Sequence, residues 1–248
     1  MQSIHYFPLI TPLILFFFLL IVLLIAVIEI GAIEYAYEKI GINRRYVFLL
    51  LLLSLGGSYV NIPVAELPAE HVLSNQEIYY FGMRYVVPLV QEWPRTVVAV
   101  NVGGAVIPVL LSVYLLLKNR ITGTAALAVL VVTVVVHWMA EPVRGVGIAV
   151  PTFVPALIAT GAAFLFAEQS APAVAYVAGT LGTLIGADLL NLGSIQGLGA
   201  PIVSIGGAGT FDGVFVTGII AVLLTGLRRE TDRTSSRIAS GRQSSESL

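Results

Sequence analysis

Seven stretches of roughly 20 mainly apolar residues follow one another along this chain, at about residues 8–33, 46–65, 96–117, 122–140, 146–167, 172–191 and 211–227. Each is long enough to carry a helix across the hydrocarbon of a bilayer, where a backbone must satisfy its own hydrogen bonds. No soluble core of this size could bury them all. Composition agrees, with 57% hydrophobic residues against 11% charged ones. The predicted fold is an all-α integral membrane protein of about seven transmembrane helices. A net charge of −1 argues against nucleic acid as a partner. The absence of cysteine excludes disulfides, thiolate metal sites and a cysteine nucleophile.

Basic residues orient the spans. With the N-terminus outside, ten of the 13 lysines and arginines fall on the cytoplasmic side, leaving Arg84, Arg95 and Arg144 outside. The N-terminal run lacks a basic n-region and exceeds the usual signal-peptide core, so it reads as a retained first span. Residues 1–227 then form one polytopic domain in the cell membrane, and the polar, serine-rich stretch 228–248 is a disordered cytoplasmic tail. The longest loop, 66–95, lies outside. Its segment 75–87 sets aromatic and β-branched residues around Gly82, the pattern of two short strands and a turn.

Polar residues at membrane depth are costly, roughly 2.5–3.5 kcal/mol for a central charge, so their positions carry information. Asn61 and Asn101 fall near the outer ends of the second and third spans. Asp188 and Asn191 approach the outer end of the sixth, and Asp212 opens the seventh from the same side. One depth shared by several spans predicts a polar cavity open outward. In the sixth span Gly179, Gly182 and Gly186 are spaced to form one small-residue face, with Asp188 nearly opposite on a regular helix. Neighbours on both sides would place that span centrally. Between Asn191 and Asp212 the glycines, including Gly206, Gly207 and Gly209, and Pro201 resist a continuous helix. The apolar Leu198, Ile202, Val203 and Ile205 predict that this broken or re-entrant segment lines a cavity.

Two facing carboxylates suit aspartyl peptidase chemistry: one takes a proton from water while the other, protonated, holds the scissile carbonyl. In that reading Asp188 and Asp212 are catalytic. Asn61, Asn101, Arg144, Asn191, Gly206, Gly207 and Gly209 position or support them, and the partners are membrane lipids and a transmembrane or signal-peptide substrate. Blander roles compete: Asp212 as an N-cap of the last span, and Asp188 paired with Arg144 or hydrogen-bonded to Asn61 or Asn101. A transporter or channel with an ion or anion site at 192–212, or a non-enzymatic assembly factor, are the other classes. No cofactor or metal is expected. His137 and Glu141 are spaced i, i+4 but lack an HExxH pattern, and Pro142 ends their span. Ser204 sits in no nucleophile elbow and is expected to bond backbone in the irregular segment.

GSYVNIPV, VNVGGAVIP, VRGVGIAVP, GTLGTLIGADLL and SIGGAGTFDG together resemble an uncharacterised family of prokaryotic multi-pass membrane proteins, a domain of unknown function, over about residues 50–225. A looser similarity is to the membrane aspartyl peptidases. Gly186-Ala187-Asp188 and the glycine run ending in Asp212 are similar to the GxGD type, and Pro155-Ala156-Leu157 spells the PAL tripeptide of presenilins. Neither aspartate completes G-x-G-D, and PAL precedes the dyad rather than following it. The lipoprotein signal peptidases are similar in layout: two outer-leaflet aspartates, supporting asparagines and a small β-rich outer lip.

Overall fold

The computed structural model describes residues 18–20, 30–68, 70–80, 83–93, 95–143, 147–151, 153–195, 202–207 and 213–226. The chain is mostly helical, as expected, but it is not all-α: seven strands stand among the described residues. Helix α1 covers residues 30–39. Helix α2 (Arg44–Gly57) starts where the Asn43 side chain accepts the Arg45 amide and stops at a glycine pair. The β-branched run that follows makes strand β1 (Asn61–Leu67). The window 46–65 is therefore a short helix and a strand, not one helical span.

A hairpin of β2 (Glu70–Tyr80) and β3 (Met83–Trp93) comes next, longer than the 75–87 turn region suggested. Strand β4 (Thr96–Asn101) then pairs antiparallel with β1. Leu67 pairs with Thr96 and Glu70 with Trp93, so the two sheets share a register there, while the β1–β4 ladder shifts once, between Pro63 and Ala65, before ending at the Asn61–Asn101 pair. The window 96–117 also changes character. Thr96-Val97-Val98 favours extended backbone, and only past Asn101 does the chain coil, first as a π-helical turn (Val102–Val106) and then as α3 (Ile107–Asn119).

Pro108, Pro155 and Pro172 each lie in a helix's first turn, where the missing N–H costs nothing. They open α3, α5 (Val154–Ala167) and α6 (Ala171–Thr183). Helix α4 (Thr122–Met139) ends in extended backbone at Ala140, ahead of Pro142 in β5 (Glu141–Val143), which pairs with β6 (Gly147–Ala149). Among the described residues, three helical runs are long and apolar enough to cross a membrane: Val102–Asn119, Thr122–Met139 and Val154–Ser194. The last folds back on itself, because Ala167 leaves helical backbone (φ −154°, ψ 57°) and α6 returns along α5. A shorter apolar helix, α7 (Gly213–Gly226), packs on α6, with Val214 in the cluster that holds Leu184 and Gly218 against Thr180 and Tyr176; that order makes the two antiparallel.

The core is rich in small residues, including Ala125, Ala128 and Val132 of α4, Ala156, Ala159 and Ala163 of α5, and Ala171, Ala175 and Ala178 of α6, packed with the buried Tyr37, Leu115 and Tyr176. Small side chains let helix backbones approach closely, the packing available where lipid supplies no hydrophobic contrast. Helix α6 is buried along nearly its whole length, the central position expected for it. Conversely, large apolar residues such as Phe48, Leu117, Trp138 and Leu165 point outward, as a protein solvated by lipid requires. The glycine face of α6 divides: Gly182 and Gly186 meet Val132 and Val136 of α4, whereas Gly179 meets Thr217 and Ala159.

Candidate functional site

Asp188 does not sit on a regular helix. Past Thr183 the chain widens into a π-helical turn (Leu184–Leu189), so the expected position opposite the glycines is replaced by a looser coil. Such a turn frees backbone groups, and Asn191 takes them up: its buried side chain donates to the carbonyls of Gly186 and Ala187, both at 2.9 Å. The Asn191 Nδ2 also lies 3.2 Å from His137 Nδ1, which ties the end of α4 to the turn. Asn191 thus shapes the backbone that carries Asp188.

The segment expected to be re-entrant is partly a strand. Following a 3₁₀ turn (Leu192–Ser194), β7 (Ile202–Ile205) joins β4 in parallel, making a three-stranded sheet in the order β1-β4-β7. Past β7 the backbone turns at Gly206 with φ +72°, a left-handed conformation that glycine enters without strain. There the Gly206 amide donates to Asp188 Oδ2 at 2.7 Å. Among the described residues that amide, and not the asparagines weighed from sequence, is the hydrogen-bond partner of Asp188. A Cβ on Gly206 would come within 2.8 Å of the Ala105 nitrogen and 2.9 Å of the Gly104 carbonyl carbon, so the turn lies directly on the π-helical start of α3.

Beside it the two predicted asparagines meet. Asn101, 2% exposed, donates from Nδ2 to the Ser58 carbonyl at 2.7 Å and to Asn61 Oδ1 at 3.1 Å, and its own Oδ1 accepts the Gly104 amide at 2.8 Å. Asn101 therefore caps the π turn while fixing Asn61. Ser204 corrects another expectation, because its hydroxyl donates to Asn61 Oδ1 at 2.5 Å rather than bonding backbone. A Cβ on Gly207 would run into the Ser204 hydroxyl, so glycine is required there by space. Deeper, Ser54 donates to the Gly103 carbonyl at 2.8 Å, and a side chain on Gly103 would strike α2 backbone. Ser58 and Ser204 carry no motif; the only trace is a lone hydroxyl in the apolar run Ile202-Val203-Ser204-Ile205.

An apolar floor underlies this layer: Val98, Ala105, Leu184, Ile205 and Val214 pack together from five different segments. Asp188, Asn61, Asn101, Asn191, Gly206 and Gly207 thus gather where both π turns meet the sheet. Arg144, Gly209 and Asp212 lie outside the described residues. Among the described residues, no group of three His, Cys, Asp or Glu side chains is placed to hold a metal. The site combines a carboxylate held by a backbone amide, amide side chains of fixed direction, and glycine backbone packed closely on its neighbours.

A family model described as "Protein of unknown function (DUF1614)" matches residues 55–224, the region that contains Asn61, Asn101, Asp188, Asn191, Gly206 and Gly207. No curated protein and no solved structure matches the chain.

Proposed function

We propose that this chain, which belongs to the DUF1614 family of proteins of unknown function, is an intramembrane aspartyl peptidase with Asp188 and Asp212 as its dyad. The supporting observation is the 2.7 Å bond from the Gly206 amide to Asp188, because it fastens the segment leading to Asp212 onto the other carboxylate. Asp212 directly precedes Gly213, where α7 begins, and α7 runs antiparallel to α6. In this reading the dyad belongs to one end of the bundle.

In this mechanism one carboxylate removes a proton from water as the water oxygen adds to the scissile carbonyl carbon. The other, protonated, gives its proton to the carbonyl oxygen. Collapse then breaks the carbon–nitrogen bond: the first carboxyl passes its proton to the leaving amine, and the second carboxylate takes one back from a hydroxyl of the tetrahedral diol as the new carbonyl forms. The buried Asn101 and its partners keep the surrounding backbone rigid. In this reading the helices cross the cell membrane with the N-terminus outside and residues 228–248 as a cytoplasmic tail, which puts the site at the outer boundary. An open strand edge such as β1 cannot lie in hydrocarbon, so the boundary falls near residues 57–61. The substrate is a transmembrane or signal segment cleaved near that face.

The test compares membrane-protein and lipoprotein precursors in cells carrying wild type, Asp188→Asn or Asp212→Asn. Accumulation of one or more precursors with both variants, at unchanged protein level, is expected. Unchanged precursors with both variants would sink the peptidase reading.

A further inference from the structure

The hydrogen bonds around Asn61 have a determinate direction, and that direction selects the ligand. The Asn101 amide cannot be flipped: its oxygen must face the Gly104 N–H and its nitrogen the Ser58 carbonyl, since those backbone groups have one polarity each. The second N–H of Asn101 then points at Asn61, so the near atom of Asn61 is the oxygen, Oδ1. With that oxygen already accepting from Asn101, the Ser204 hydroxyl must donate as well. Two partners pin one edge of a planar amide. The Asn61 Nδ2, with two donor hydrogens, is left turned away from both of them on an exposed residue.

One turn of chain, Ser204 to Gly206, separates this donor edge from the Asp188 carboxylate. A cation would meet the hydrogens of Asn61, and an anion would meet Asp188. A neutral oxygen acceptor satisfies the Asn61 donors and brings no negative charge against Asp188. We infer that the Asn61 side-chain amide donates to a carbonyl of an extended acyl substrate, a peptide or ester, its donor edge aimed by Ser204 and Asn101. This rests on the peptidase reading for its reaction but not for its binding chemistry. Asn61 is then a substrate-binding residue, and Ser204 a positioning residue that acts through it.

The experiment uses the full chain in lipid nanodiscs and, as probe, a dye-labelled synthetic peptide with one apolar segment of about 20 residues. Asn61→Asp is nearly isosteric. Its Oδ1 still accepts from Ser204 and Asn101, while the outward donors become an acceptor. About tenfold weaker peptide binding is expected, with the melting temperature held close to wild type. Ser204→Ala, which leaves Asn61 intact, should weaken binding roughly threefold. Sodium, potassium and magnesium chlorides are run alongside by thermal shift. Binding of the peptide by Asn61→Asp within twofold of wild type, no binding by wild type, or cation stabilisation of wild type that Asn61→Asp abolishes would each overturn the inference. If binding depends on Asn61 yet neither aspartate variant alters precursor processing, the peptidase reading falls and the carbonyl-donor assignment stands.

Discussion

Gly206→Ala tests how tightly the site is built, because a single methyl group meets two penalties there. The backbone at Gly206 has φ +72°, a region that costs an L-residue about 1 kcal/mol or somewhat more. Its new Cβ would also stand 2.7 Å from the Ala105 Cβ, 2.8 Å from the Ala105 nitrogen and 2.9 Å from the Gly104 carbonyl carbon. Two of these are backbone atoms of a buried turn and cannot rotate away, so overpacking adds roughly 1–3 kcal/mol. The sum, about 2–4 kcal/mol, corresponds to a fall in melting temperature on the order of 5–15 °C for a chain this long. Gly193→Ala is the control, since nothing lies within 4 Å of a Cβ at that exposed position. Unfolding of both variants in nanodiscs, followed by tryptophan fluorescence, compares them directly. A Gly206→Ala protein that melts within 2 °C of wild type would refute the packing of the turn on Gly104 and Ala105, and with it the placement of the amide that holds Asp188.

Asn101→Leu removes three hydrogen bonds and leaves the Gly104 amide and Ser58 carbonyl without their partner. A loss of about 2–5 kcal/mol is expected in denaturant titration, larger than for Asn61→Leu, whose exposed side chain can be replaced by water. Gly186→Ala would set a Cβ 2.6 Å from the Thr133 carbonyl and 3.1 Å from the Val136 Cβ, prising α4 from the turn that bears Asp188. Destabilisation of about 1–3 kcal/mol should appear in the same melts, whereas Gly161→Ala, with open space around it, should leave them unchanged.

Membrane character was legible in the sequence because it depends on something local, the length of an uninterrupted apolar run. So were the strands on either side of Gly82. The alignment of Asn61 with Asn101 at one depth could also be read, since each lies a countable distance from a charged end. What the run length concealed was the switch from helix to strand at Asn61 and before Asn101. Ile, Val and Leu suit a transmembrane helix and a strand alike, and hydropathy does not separate them.

The tertiary structure decided the partners. Asn61 meets Asn101 through an antiparallel ladder that spans 40 residues, and β4 meets β7 in parallel, pairing Val97 with Ile202. No local period encodes such a pairing; it follows from which strand edge is free once the helices have packed. The same assembly gave Ser204 a side-chain partner 143 positions away and delivered the Gly206 amide to Asp188. Apolar runs therefore determined where this chain resides and roughly how it winds. Long-range pairing at the broken ends of those runs determined the polar layer and the direction in which its donors point, because a hydrogen bond is specified by geometry between segments rather than by order along the chain.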